Sequence, residues 1–82
     1  MIEIKSGSVV KSVAGHDSGG YFVVLRQEGG FVFLADGKRR KLEKPKRKKW
    51  KHVRLTEVDA ISVTNDLTDK QIRTYLGQLN LR

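Results

Sequence analysis

Ten of the fourteen residues from Lys38 to Lys51, KRRKLEKPKRKKWK, are lysine or arginine, and a single one, Glu43, is acidic. The run carries a local charge of +9, while the other sixty-eight residues hold seven basic and eight acidic side chains, a net of −1. The whole formal charge of +8 therefore sits in one short segment. A surface made basic for solubility would intersperse both signs. A block of like charges repels itself and stays solvated unless a polyanion neutralises it. The chemistry this run supports is phosphate neutralisation, in which clustered cations are rewarded by counterion release. The competing reading is a solvated loop with no dedicated ligand.

Catalytic chemistry is not expected. There is no cysteine nucleophile, and the two histidines, His16 and His52, lie thirty-six positions apart with no acid spaced to complete a triad. The glycines from Gly15 to Gly20 do not form G-x-x-x-x-G-K-[ST], so they are not a phosphate-binding P-loop. His16, Asp17 and His52 have no metal-ligand spacing. The chain is read as a binding protein, with no catalytic residue, metal or other cofactor, and no small-molecule substrate.

Eighty-two residues make one domain of thin stability margin. Without cysteine, neither a disulfide nor a thiolate metal site adds to it. No apolar run reaches the ~18–20 residues that span a bilayer, and MIEIKSGSVV lacks the pattern of a signal peptide. The expectation is a soluble, cytoplasmic protein, monomeric when free.

Residues 1–63 read as short strands divided by glycine turns. Ile2 and Ile4 alternate with Glu3 and Lys5 as a half-buried strand would. Val9, Val10 and Val13 lead into the turn Ala14-Gly15-His16-Asp17-Ser18-Gly19-Gly20. Tyr21 to Leu25 returns as a strand, Gly29-Gly30 marks a hairpin, and Phe31 to Leu34 follows, closed by a two-residue turn at Asp36-Gly37. Pro45 biases the basic run towards loop and away from helix. Trp50 to Leu55 resumes a strand, and Ala60 to Val63 is taken as the last. Strands at this spacing predict a mainly β fold, a small antiparallel barrel. Residues 64–82 form a C-terminal helix. Thr68 and Gln71 have capping-box spacing, Leu67 and Ile72 can staple, and Ile72, Tyr75, Leu76 and Leu79 share one face. Gly77 weakens its last turn. That face is expected to cover one end or an open seam of the barrel.

The stretch GSVVKSVAGHDSGGYFVV, Gly7 to Val24, resembles a KOW motif, two strands joined through a glycine-containing loop. The continuation LADGKRRKLEKPKRKKWKH is similar to the single-KOW family of small RNA-binding and ribosomal proteins, including the large-subunit type named L-fourteen-e. The likeness covers about residues 5–63. It implies an SH3-like five-stranded barrel that binds structured RNA, most often ribosomal RNA. KOW modules of transcription elongation factors contact polymerase or nucleic acid but usually carry a further domain, for which this chain has no room.

The candidate contacts are Lys38, Arg39, Arg40, Lys41, Lys44, Lys46, Arg47, Lys48, Lys49 and Lys51. Seven lysines against three arginines favour backbone neutralisation over base reading. Trp50 either stacks on an unpaired base or anchors the barrel core. His52 stacks on RNA or sits in a strand, half-exposed. The turn is a second candidate surface, where Gly19 lets a sugar–phosphate chain approach and His16 and Ser18 donate to phosphate; Asp17 would repel it. Lys5, Lys11 and Arg26 extend the basic surface. The partner expected is RNA, large-subunit ribosomal RNA above all. The alternatives are an acidic protein such as an RNA polymerase subunit, and duplex DNA.

Overall fold

The computed structural model describes residues 4–16 and 18–79. Five antiparallel strands form one sheet: β1 (Val9–Ser12), β2 (Tyr21–Glu28), β3 (Phe31–Ala35), β4 (Lys46–Lys49) and β5 (Val53–Leu55). Their order is β4-β3-β2-β1-β5, so β4 and β5 are the two edges. One helix, α1 (Asp69–Gln78), follows. No helix among the described residues is long and apolar enough to cross a membrane.

Alternation along the strands divides the apolar residues between two faces. Val10, Phe22, Val24, Val32, Leu34 and Val53 form one buried cluster, with Ile4 and Leu55 against it. Val23 and Ala35 point to the opposite face and are covered by Ile72 of α1, with Leu25, Leu42, Ile61, Val63, Leu67 and Leu76 around them. The register shift between Val24 and Arg26 inserts Leu25 as a bulge. The extra residue lets Leu25 pack into the Ile72 cluster and puts Arg26 opposite Phe33.

Several expectations are corrected. The basic run is not a continuous loop: Lys46–Lys49 is a strand, paired Phe31 to Lys49, Val32 to Lys48, Phe33 to Arg47 and Leu34 to Lys46. Pro45 stands just before it, where a missing N–H costs no ladder bond. Trp50–His52 is a 3-10 turn, so strand structure resumes only at Val53. Ala60 to Val63 is not a strand, although the Ile61 amide donates to the Gly7 carbonyl at 3.0 Å. Ile4 and Lys5 are not in a strand either, and Ile2 and Glu3 lie outside the described residues. Gly29-Gly30 is a two-residue hairpin with both φ angles positive, 51° and 86°. The chain between β3 and β4, by contrast, is ten residues long, and Asp36 caps its start. The Asp36 Oδ1 accepts from the amides of Lys38 and Arg40, both at 2.9 Å.

The helix starts where the residues require and is shorter than its apolar pattern. The Thr68 hydroxyl accepts from the Gln71 amide at 3.1 Å, and the Gln71 side chain accepts from the Thr68 amide at 2.9 Å. The last helical residue is Gln78, one beyond Gly77, and residues 80–82 lie outside the description. The helix covers a sheet face rather than a barrel end. Its seat is the turn after β3: Gly37 has φ 76°, and a Cβ there would stand 2.3 Å from the Asp69 carbonyl oxygen. Arg73 donates to the Gly37 carbonyl at 2.6 Å, and Asp69 accepts from the Leu42 amide at 2.8 Å. Tyr75 donates its hydroxyl to the Asp59 carbonyl. Partial burial pushes the Tyr75 phenol above its ordinary value of 10.0, and the Asp59 carboxylate adds to the shift.

Two outcomes follow from this seating. Gly37→Ala should cost about 2–4 kcal/mol in urea unfolding, from the left-handed backbone and the collision with the helix. Gly77→Ala, with nothing within 4 Å of an added Cβ, should instead stabilise by about 0.5–1 kcal/mol; equal effects would mean that α1 is not docked on Gly37. Tyr75 holds its proton more tightly folded than unfolded, so its contribution is full below pH 10 and is lost as pH rises through the raised folded value. The stability difference between wild type and Tyr75→Phe, measured by denaturant titration at pH 8 and at pH 11, should therefore shrink at the higher pH.

Candidate nucleic-acid interface

β3 and β4 impose a strict order on the basic run. Because β3 is apolar on both faces, β4 must lay four successive cations against it, two per face. Lys46 and Lys48 share the side of Leu34 and Val32, and Arg47 and Lys49 share the side of Phe33 and Phe31. Lys48 is only 8% exposed, and its Nζ is 3.5 Å from where a Gly15 Cβ would stand. It leaves β4 opposite Val32 and its head reaches the glycine turn, as a long cationic side chain can. Lys48 is thus built into the fold and is not part of the exposed array.

The remaining cations fall into two lobes. Lys38, Arg39, Lys41 and Lys44 are exposed on the loop between β3 and β4, with Arg40 half-buried among them. Asp36 and Asp69 hold this loop through its backbone amides, at Lys38, Arg40 and Leu42. Arg47, Lys49 and Lys51 are exposed along the strand and the turn after it, and Lys46 is half-buried. The loop joins the β3–β4 ladder at its Leu34–Lys46 end, and Lys49 stands at the other end, three residue steps or about 10 Å along the strand.

The outer face of β2, β3 and β4 carries a feature that the run alone did not announce. Arg26 pairs with Phe33 across the β2–β3 ladder, and Arg47 pairs with Phe33 from β4. In the next row Phe31 stands between Glu28 and Lys49. The Arg26 guanidinium lies 4.0 Å from the Phe33 ring centre, and that of Arg47 lies 4.6 Å from the Phe31 ring centre. Both arginines are exposed and both rings are half-buried. Arg26 also pairs with Glu28 through its Nε. Phe31 and Phe33 were legible only as strand residues; their alternation matches that of Arg47 and Lys49, but the register that joins them is a property of the ladder.

Trp50 is 59% exposed, which removes the core reading. Its amide donates to the Gly30 carbonyl at 3.0 Å, and its Cδ1 would be 3.8 Å from a Gly30 Cβ. It stands beside the β2–β3 hairpin, at the Phe31–Lys49 end of the sheet. His52 is half-buried in the 3-10 turn, and its carbonyl accepts from the Val13 amide at 2.9 Å. That bond ties the run to the glycine turn. His16, Ser18 and Gly19 are exposed there, the Ser18 amide closing onto the Gly15 carbonyl at 3.1 Å and the Gly19 amide onto the Ser12 carbonyl at 2.8 Å. Asp17 lies outside the described residues. Lys11 lies over the Tyr21 ring, 5.7 Å from its centre, on the β1–β2 ladder.

Compared with known proteins, the sequence matches no family model and no curated protein.

Trp50 is the one tryptophan of the chain and so reports this surface alone. Its emission should be that of a water-exposed indole, quenched more strongly by iodide than by caesium because cations surround it. Trp50→Ala should change unfolding free energy by less than about 0.5 kcal/mol. Blue-shifted, unquenched emission would instead return the indole to the core.

Proposed function

We propose that this chain is an RNA-binding protein of KOW type that docks on ribosomal RNA of the large subunit in the cytoplasm and acts by binding, not catalysis. The observation that carries the reading is the exposure of seven cations of the run, Lys38, Arg39, Lys41, Lys44, Arg47, Lys49 and Lys51, along one edge of the sheet. These cations stand on a strand and a loop, with no basic helix among them. They suit an irregular folded RNA whose backbone is followed by a shaped surface.

The KOW resemblance supports the same reading. β1 and β2 pair Val9 to Val23 and Val10 to Phe22, and the glycine turn joins them. An SH3-like barrel is the closed form of this sheet. Five strands laid flat would hold β4 and β5 about 19 Å apart. Three residues of 3-10 turn, rising about 2 Å each, link Lys49 to Val53. The two edges meet at that end only if the sheet curls, and curling to closure is the economical solution.

The test is fluorescence anisotropy with large-subunit ribosomal RNA across a potassium chloride series. If all seven exposed cations meet phosphate, log K should fall against log[salt] with a slope of about −5 to −6. Replacing Lys38, Arg39 and Lys41 with alanine should make the slope shallower by about 2 to 2.5. A protein that binds no RNA at low salt would overturn the proposal, as would one that binds a purified acidic protein while its RNA affinity is unaffected by these substitutions.

A further inference from the structure

We infer that the outer face of β2, β3 and β4 is a stacking platform for unpaired nucleobases, so that the protein selects RNA with splayed-out bases over perfect duplex. The inference rests on the RNA-binding reading above and adds a specificity to it.

Arg26 and Arg47 are the two groups that argue for a platform. Each guanidinium has one side turned to a phenylalanine ring, at 4.0 Å for Phe33 and 4.6 Å for Phe31, and each side chain is exposed to solvent. A guanidinium seated on a ring is held in orientation, which removes much of the rotamer entropy that a free arginine would lose on binding. A planar cation with a free face is a surface on which a base stacks, and it sits beside the phosphate-binding charge of the same strand. The two rings are two residues apart on one face of β3, so the shelves are separated by about 7 Å. Trp50, at the hairpin end of this row, continues the aromatic surface towards solvent. Lys49, opposite Phe31, supplies the neighbouring charge. Glu28, the one acid in these two rows, engages Arg26 and leaves the row a net cation.

Phosphate neutralisation alone does not explain this arrangement. A lysine would bring the same charge to a phosphate without a planar face for a ring to orient. The Arg26→Lys, Arg47→Lys double variant therefore separates the two roles, because it keeps every charge and removes both planar shelves. Wild-type protein and this variant would be titrated with three probes of equal phosphate count at one salt concentration: single-stranded oligouridylate, blunt duplex RNA, and an abasic ribose–phosphate oligomer.

Wild type should bind the single strand at least about tenfold more tightly than the abasic oligomer. The variant should lose about tenfold for the single strand and markedly less for the abasic oligomer, so that the ratio of the two affinities falls while the salt slope, set by charge, is kept. Thermal unfolding of the variant close to that of wild type would show that the sheet is intact. Equal binding of single-stranded and abasic probes by wild type would overturn the platform while leaving phosphate binding standing, and so would an unchanged affinity of the variant for the single strand. Binding of none of the three probes would overturn the RNA-binding reading, and the platform with it.

Discussion

The pairing of β4 with β3 is the constraint on which the surface of this protein depends. Four consecutive cations would not form a strand by themselves, since like charges repel and lysine favours neither the pleat nor a neighbour of its own sign. They are drawn out by an apolar partner. Val32 and Leu34 are fully buried, and Lys48 and Lys46 pair with them in the ladder. Two unit charges about 7 Å apart repel by roughly 0.6 kcal/mol in water and by several times that where protein excludes solvent. The array is thus held together against its own field. The same charges make the edge a poor template for another strand, and under the proposed function a polyanion closing over it would relieve that repulsion.

The helix is a second consequence of the same geometry. With Val32 and Leu34 turned to one face, β3 presents Ala35 to the other, and a domain of this size has no second sheet to cover it. Ile72 does so. The helix also fixes the loop that carries four of the seven exposed cations of the run, through Asp69 on the Leu42 amide and Arg73 on the Gly37 carbonyl. The role of α1 is therefore more than burial: it sets where one lobe of charge stands relative to the other.

Charge is segregated along the chain beyond the basic run as well. The cations lie on β4 and its loop at one edge, whereas the segment that leaves β5 carries Glu57, Asp59 and Asp66 with no basic residue between Thr56 and Leu67. Under the proposed function, the field of a polyanion would orient such a molecule before contact, basic segment first.

What the sequence determined alone was local. Gly29-Gly30 dictated its hairpin because both positions need positive φ, and Thr68 with Gln71 dictated the start of the helix because the capping box is satisfied within four residues. The clustering of charge needed no structure at all. The tertiary structure decided what those residues become. Lys46 to Lys49, read as loop, is a strand because an apolar partner ladder outweighs poor propensity; Ala60 to Val63, read as a strand, has no ladder in which to pair. Trp50 was open between core and surface, and only the 3-10 turn between the two edge strands turns it outward. Arg26, Phe33 and Arg47 are neighbours through the register of three strands, offset by a bulge at Leu25. Register is set by the whole sheet at once, so no local reading of residue order contains it.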